Sequence, residues 1–363
     1  MTHICQPPRD FWPSLEGAIN GAYIPGSERM SSTFNSTRTL PRVRSPMKPV
    51  EPQGPGSHLG LLLVSFTAIL SGVATFVNSF AVPGTTSSDA FVTVRNVVVA
   101  LLLVPLVFVI PAAQRRLSAV DWGRLAVIGL VGGAVPFLLF FHGLQLAGPG
   151  SATASFAYRT LFLMAAVLGL VVLRERLSSR LAVAAVLLLG GNALLLSWTG
   201  PVWNPGVLFV LAATALWAVE YTLSKRALRD LPLSTVALGR MGFGGVFLLA
   251  YLAATNQFGA AAGLTGGQFG WVLVSALLLV GFVATWYAGL KYVDLSTAAA
   301  VLVLAFPITW TLSVLAGKTA FGVPQAAGAA VVAFGVCVAI GLTSFRSSME
   351  HAVRLLAAGG RAA

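Results

Sequence analysis

Charge is what this chain has least of. Lys, Arg, Asp and Glu make up 9% of 363 residues, and only 11 of them are acidic. Ordinary soluble domains are roughly a quarter charged, so a water-soluble fold is excluded. Cysteine is nearly absent too. Cys5 lies in a polar leader and Cys337 in an apolar run, which points to neither a disulfide framework nor a thiolate metal site. The four histidines, His3, His58, His142 and His351, show no metal-ligand spacing, and no Asp/Glu cluster suggests a membrane hydrolase. No metal and no cofactor is expected. Gly317-Lys318-Thr319 resembles the end of a phosphate-binding loop, but that pattern needs glycine where Leu312 stands, and no strand leads into it. ATP-driven transport by this chain alone is therefore not expected.

Apolar residues fill the space, at 56% of the chain and a mean hydropathy of +0.84. A spanning helix needs about 20 mostly apolar residues. Runs of that kind lie near 58–80, 89–111, 122–142, 150–173 and 179–198, then 204–226, 232–254, 268–290, 295–316 and 323–344. The fold class is thus an all-α membrane protein with ten transmembrane helices. Gly148-Pro149-Gly150 breaks the chain before the fourth, and Pro232 and Pro324 sit where a first-turn proline costs little. Residues 1–57 lack the apolar core of a signal peptide. Their low-complexity composition reads as a disordered polar leader or as an over-extended gene start, with Met30 and Met47 inside it. The Asn35-Ser36-Thr37 sequon in that leader carries no weight as a glycosylation site.

A net charge of +12 could suggest nucleic acid, but the basic residues are distributed otherwise. Arg115, Arg116 and Arg124 lie between helices two and three, Arg174, Arg176 and Arg180 after four, Lys225, Arg226 and Arg229 after six, and Lys291 after eight. The alternate loops 143–149, 199–203 and 255–267 have none, and Lys318 is the exception. The positive-inside rule then puts both termini and the basic loops in the cytoplasm, with the chain a multi-pass protein of the inner or cytoplasmic membrane. The tail 345–363, with Arg346, Arg354 and Arg361, is a basic cytoplasmic end, either disordered or amphipathic on the lipid surface.

At an offset of about 145 residues the chain aligns with itself: Arg95 falls on Arg240, Gly190 on Gly335, and Gly143-Leu144 near Gly289-Leu290. The domains are thus a first five-helix repeat at 58–198, a linker at 199–203 and a second repeat at 204–344. Five helices per repeat make the second copy enter from the opposite side, an inverted-topology repeat of the sort from which many secondary transporters are built.

With these features the chain resembles the drug/metabolite transporter superfamily, specifically its ten-helix EamA-like group, over roughly residues 58–344. Val94-Arg95-Asn96 and Gly239-Arg240-Met241 carry the resemblance, as does Leu173-Arg174-Glu175-Arg176-Leu177 after helix four. Ala305-Phe306-Pro307 is similar to the family's proline in the fourth helix of the repeat, whereas Thr160, Leu161 and Phe162 stand there in the first half. Gly317-Lys318-Thr319-Ala320 lacks the acid that Glu175 supplies to the other half. The resemblance implies an exporter of small metabolites, proton-linked or exchanging, with amino acids and related compounds among the substrates.

Ionisable groups within spans are costly and tend to face the bundle interior; there are four. Arg95, early in helix two, either snorkels to the interface or faces inward. Glu220 and Arg240 lie at matching depths and can pair, either as a structural ion pair or with Glu220 as a protonatable coupling group. Arg159 lies roughly 13 to 14 Å into helix four, near the bilayer centre. With Tyr158 beside it and Ser155 one turn away, it suits a solute bearing a carboxylate or phosphate, unless carbonyls and hydroxyls simply satisfy it. Trp217 and Tyr221 are the aromatics expected to line the same cavity, while Trp286, Tyr287 and Trp310 are expected mostly in packing. Asn78, Asn192 and Thr311 fit ordinary interhelical bonding, and Gly129 and Gly133 a close helix crossing.

The function this supports is a secondary transporter, exporting a small zwitterionic or anionic metabolite by alternating access, with or without coupling to protons. Partners are a small-molecule solute and membrane lipid, not nucleic acid. A membrane-embedded enzyme or lipid-handling protein would need a polar cluster near the headgroups, where only Glu175 and its flanking arginines stand. A passive channel is disfavoured by the inverted repeat.

Overall fold

The computed structural model of the protein describes residues 55–81, 87–109, 116–148, 151–176, 178–197 and 203–341. Residues 1–54 of the expected leader, with its sequon, and the basic tail lie outside them, and α1 begins within the last three residues of that leader. Ten spans follow in order: α1 (Pro55–Ala81), α2 (Ser88–Val109), α3 (Ala119–Ala147), α4 (Ala152–Leu173), α5 (Ser179–Leu195), α6 (Pro205–Ala227), α7 (Leu233–Ala254), α8 (Gly266–Leu290), α9 (Leu295–Leu315) and α10 (Val323–Ile340). Among the described residues nine are long and apolar enough to cross a bilayer by that measure, and α5 is the shorter tenth at 17 residues.

Helix starts follow the expected chemistry. Ser118 and Asp121 form a capping box at α3, Thr265 and Gln268 another at α8, and Asn204 caps α6 ahead of Pro205. Pro232 sits at the N-cap of α7 and Pro324 in the first turn of α10. Helix three is longer than the 122–142 expected, and α10 is described only to Ile340. A short helix, Phe258–Ala262, occupies a loop expected to be plain.

Three spans are not regular, and none of these breaks was anticipated. In α3 the segment Gly129–Ala134 is a π-helix. α4 breaks at Thr160, between Ala152–Arg159 and Leu161–Leu173, and α9 breaks at Val303 and Leu304, between Leu295–Leu302 and Ala305–Leu315. Pro307 explains the second, since it offers no N–H to the carbonyl four residues back. Its counterpart in α4 has no proline. There Thr160 turns its hydroxyl back onto the Ala157 carbonyl at 2.7 Å, a bond that competes with the helix ladder.

The packing obeys a pseudo-dyad that exchanges α1 with α6, α2 with α7, α3 with α8, α4 with α9 and α5 with α10. The pairs α2–α7, α4–α9 and α5–α10 map onto themselves. The pair α1–α8 maps onto α3–α6, α1–α9 onto α4–α6, and α2–α8 onto α3–α7. Glycines mark equivalent crossings: Gly143 lies under the Gly206 backbone, and Gly289 packs against Val64 and the Gly60 carbonyl. At α5–α10 it is Gly191 and Gly328 that meet, whereas Gly190 faces open space.

Gly129 and Gly133 do make the close crossing, against α7. A Cβ on Gly133 would fall 2.5 Å from the Arg240 carbonyl and 2.9 Å from Gly244 Cα, both backbone, so the helices would have to part. Gly133→Ala should therefore destabilise by about 1–3 kcal/mol, read as a lower thermal midpoint in detergent. Gly190→Ala, with nothing near its Cβ, should leave that midpoint unchanged or slightly raised.

Candidate functional site

The centre of the bundle is organised by a carbonyl that its own helix cannot use. Pro136 follows Gly132 by four residues and has no N–H, so the Gly132 carbonyl loses its usual helical donor. Trp217 Nε1 donates to it at 3.3 Å from α6, and Arg240 Nη2 at 3.4 Å from α7. The Gly133 carbonyl beside it accepts from Asn96 Nδ2 at 3.0 Å, tying in α2.

Arg240 also faces Glu220, with Nη2 and Oε2 3.5 Å apart and both side chains buried. The other oxygen, Oε1, accepts from Tyr287 Oη at 2.7 Å and from Ser224 Oγ. Two hydroxyl donors and a guanidinium thus surround this carboxylate. Gly132 leaves no room beyond Glu220, since a Cβ there would strike the glutamate stem. The pair expected from matching depths is thus present, and its hydroxyl partners Tyr287 and Ser224 were not foreseen.

Arg95 does not snorkel. It is 5% exposed, bonds Asn96 Oδ1 through Nε and Nη2 at 3.3 and 3.2 Å, and lies 5.1 Å from the centroid of Phe137. Arg159, at the break in α4, has the same kind of company. Its Nη1 donates to Asn192 Oδ1 at 3.0 Å, and its guanidinium stands 4.3 Å from the Phe306 centroid. Ser155, proposed as its neighbour, makes no bond to it among the described residues; Asn192 takes that place. Phe306 is carried there by the break before Pro307, so both interrupted helices converge on one guanidinium.

Aromatic rings join these cations. Trp217 packs edge-on to Phe137 at 5.3 Å and to Tyr158 at 5.6 Å, and Tyr158 meets Phe306 at 5.9 Å and Phe140 at 5.0 Å. Tyr158 and Arg159 are half-buried, whereas Arg95, Glu220 and Arg240 are buried. Tyr221, one turn after Trp217 on α6, packs its ring 4.7 Å from Trp286 on α8. Sequence patterns could have exposed Gly132 through the Gly-x-x-x-Pro spacing, but gave no sign that Phe137 or Tyr287 would turn inward.

A second polar cluster closes the end where the basic loops lie. Arg174 ends α4 in the left-handed conformation at φ 58°, and Glu175 N bonds back to the Gly169 carbonyl. That turn aims the Glu175 carboxylate at the other repeat, where it accepts from Leu295 N at 2.6 Å, Ser296 N at 3.0 Å and Ser296 Oγ at 2.8 Å. It therefore caps α9, in place of the Asp294 side chain, and complements its dipole. Lys225 of α6 adds an ion pair at 3.4 Å and bonds the Val293 carbonyl. Burial, and then the Glu175 carboxylate, raise the Asp294 carboxyl above its ordinary range, while Lys225 pulls the other way. At the opposite end the tie between repeats is exposed: Lys318 Nζ reaches Ser79 at 3.1 Å over the Phe80 ring.

Removing one member of a buried ion pair costs about 3–5 kcal/mol, while replacing both by apolar residues is often neutral. Glu220→Met and Arg240→Met should each lower the thermal midpoint markedly, and the double variant should recover most of the loss. For the cap, Glu175→Ala should expose α9. Thiol labelling of Ala299→Cys, a 2% exposed position, in a Cys5→Ser, Cys337→Ser background should rise several-fold; unchanged labelling would mean that Glu175 does not hold this end shut.

Comparison with known proteins agrees with the architecture. Among curated proteins none matches the chain. A solved crystal structure matches with a TM-score of 0.65 at 23% identity, covering 79% of this chain and 98% of its own, which is a likeness of fold alone. A family model described as the EamA-like transporter family matches twice, over residues 58–197 and 204–341. With ten apolar helices in two repeats, the chain belongs to the EamA-like transporter family and is a multi-pass membrane transporter.

Proposed function

We propose that the protein is a secondary transporter that exports a small solute bearing a carboxylate or phosphate, taking it at Arg159 and alternating access between the two faces of the membrane. The observation that carries this is the placement of a half-buried guanidinium at the break of α4, against Phe306 at the break of α9. Interrupted helices near the membrane centre are where secondary transporters hold their solutes. Arg159 has one amide oxygen and a ring face as its partners. Its remaining donors suit a planar anion. Tyr158, Trp217, Phe140 and Phe306 supply the apolar wall. The outward direction rests on the resemblance to exporters. The cytoplasmic placement of the basic loops, and of both termini, rests on their charge.

Alternating access requires that one end open while the other is closed. The Glu175 cap on α9, with Lys225, supports assigning the cytoplasmic gate to that cluster. Glu220 fits a fixed counter-ion better than a proton carrier, because Tyr287 and Ser224 already occupy one of its oxygens and Arg240 stands against the other. Any proton coupling would then run through another group, and Glu220→Gln should leave the pH profile of transport in the same place even where the rate falls.

Reconstitution into liposomes with labelled anions, zwitterions and cations, with and without a pH gradient, tests the reading. Acid-bearing solutes should move and cations should not. Arg159→Ala should abolish that movement while the protein still inserts and keeps its thermal midpoint, and Arg159→Lys should retain a fraction of it. Turnover or flipping of a lipid, with no solute moved, would sink the transporter reading. Tags on either terminus should be reached by impermeant reagents only after cells are opened.

A further inference from the structure

We infer that the transported solute is a dianion, carrying two negative charges on an apolar body; this rests on the transporter reading above and narrows its substrate class. Away from the terminal turns of the spans, the described residues place three guanidiniums, Arg95, Arg159 and Arg240, against one carboxylate, Glu220. Glu220 is spoken for, since it pairs with Arg240. Two positive charges are left.

Those two are equipped alike. Arg95 has the Asn96 carboxamide oxygen and the Phe137 ring, and Arg159 has the Asn192 carboxamide oxygen and the Phe306 ring. An amide dipole and a π face orient a guanidinium without neutralising it. Arg95 and Arg240 also stand on counterpart helices that are in contact, and their like charges oppose one another. In a medium of low polarity such an excess is expensive to keep, and nothing else among the described interior side chains offsets it.

A zwitterion brings no net charge and leaves the excess as it was. A monoanion removes half of it, and a dianion removes all. The walls fit an apolar spacer between the acids, because the row Phe137, Trp217, Tyr158, Phe306 runs without a gap from the ring that faces Arg95 to the ring that faces Arg159. The Glu220–Arg240 pair takes no part in that recognition, because its two charges already offset one another.

The experiment uses the full chain in liposomes and two matched sets of labelled probes. One is terephthalate, its monoamide and (aminomethyl)benzoate; the other is succinate and its monoamide. The diacid of at least one set should move faster than its monoamide by about an order of magnitude, equivalent to roughly 1.4 kcal/mol, and should raise the thermal midpoint where the monoamide does not. Arg95→Gln should erase that preference while keeping or raising the midpoint of the empty protein, because it deletes an unbalanced buried charge. Transport of the monoamides or the zwitterion equal to or faster than the diacids would overturn the dianion and leave the transporter standing. If no diacid moves while other anions of the wider panel do, the dianion falls in the same way; if no solute moves at all, both readings fall.

Discussion

A guanidinium inside a membrane must find acceptors, and an α-helix offers few, because each of its carbonyls already accepts from the N–H group four residues on. The interior of this protein depends on an exception to that rule. Pro136 withholds one N–H, the chain around it winds as a π-helix, and the Gly132 carbonyl is released toward Trp217 and Arg240. Glycine at that position is also what lets the Glu220 stem lie against the helix. The acceptor, the room for the Glu220 counter-ion and the close approach of α3 to α6 and α7 therefore come from residues 129–136 of one span.

The pseudo-dyad decides what meets what. Counterpart helices α2 and α7 are in direct contact, so two arginines that are equivalent in sequence become neighbours in space, and their like charges must be handled together. The second repeat solves this with Glu220, whereas the first has no acid in the matching span and uses Asn96. Symmetry of the backbone thus coexists with asymmetry of charge. The two broken helices repeat the pattern: α9 breaks because Pro307 lacks a donor, and α4 breaks at the equivalent place with Thr160 bonded back on Ala157.

Much of this was readable in the sequence because hydrophobic length is a long-range average that no local detail can hide. Ten runs, the alternation of basic loops and the register of Arg95 on Arg240 all survive errors of several residues at each end. The Glu220–Arg240 pair was legible for a related reason, since depth follows directly from residue count at about 1.5 Å per residue. Rotation about the helix axis does not. Whether Tyr287 or Trp286 would meet Glu220, and whether Asn192 rather than Ser155 would meet Arg159, depends on crossing angles set by glycine contacts elsewhere. The break in α4 was hidden because threonine is common in intact helices, while the Gly132 to Pro136 spacing was visible and its consequence passed over. Glu175 stood out as a charge near the headgroups, but its partner lies 120 residues away.

The geometry also ties the site to the end that is closed. Arg159 is the last residue before the break in α4, and the 13-residue segment Leu161–Leu173 that follows is one uninterrupted helix, about 20 Å long at the usual rise. Its far end makes the left-handed turn at Arg174 and delivers Glu175 to the first turn of α9. The first segment of α9, Leu295–Leu302, then leads back to the second break, beyond which Phe306 faces Arg159. Two half-helices therefore form a closed circuit, joined at one end by a charged cap and at the other by a cation over a ring. A rigid segment cannot tilt at the break without displacing its far end, so a solute taken at Arg159, as proposed above, would act on the same bodies that Glu175 and Lys225 hold together. The second repeat offers no acidic counterpart to this cap in Gly317-Lys318-Thr319-Ala320, and at that end the repeats meet through the exposed contact of Lys318 with Ser79.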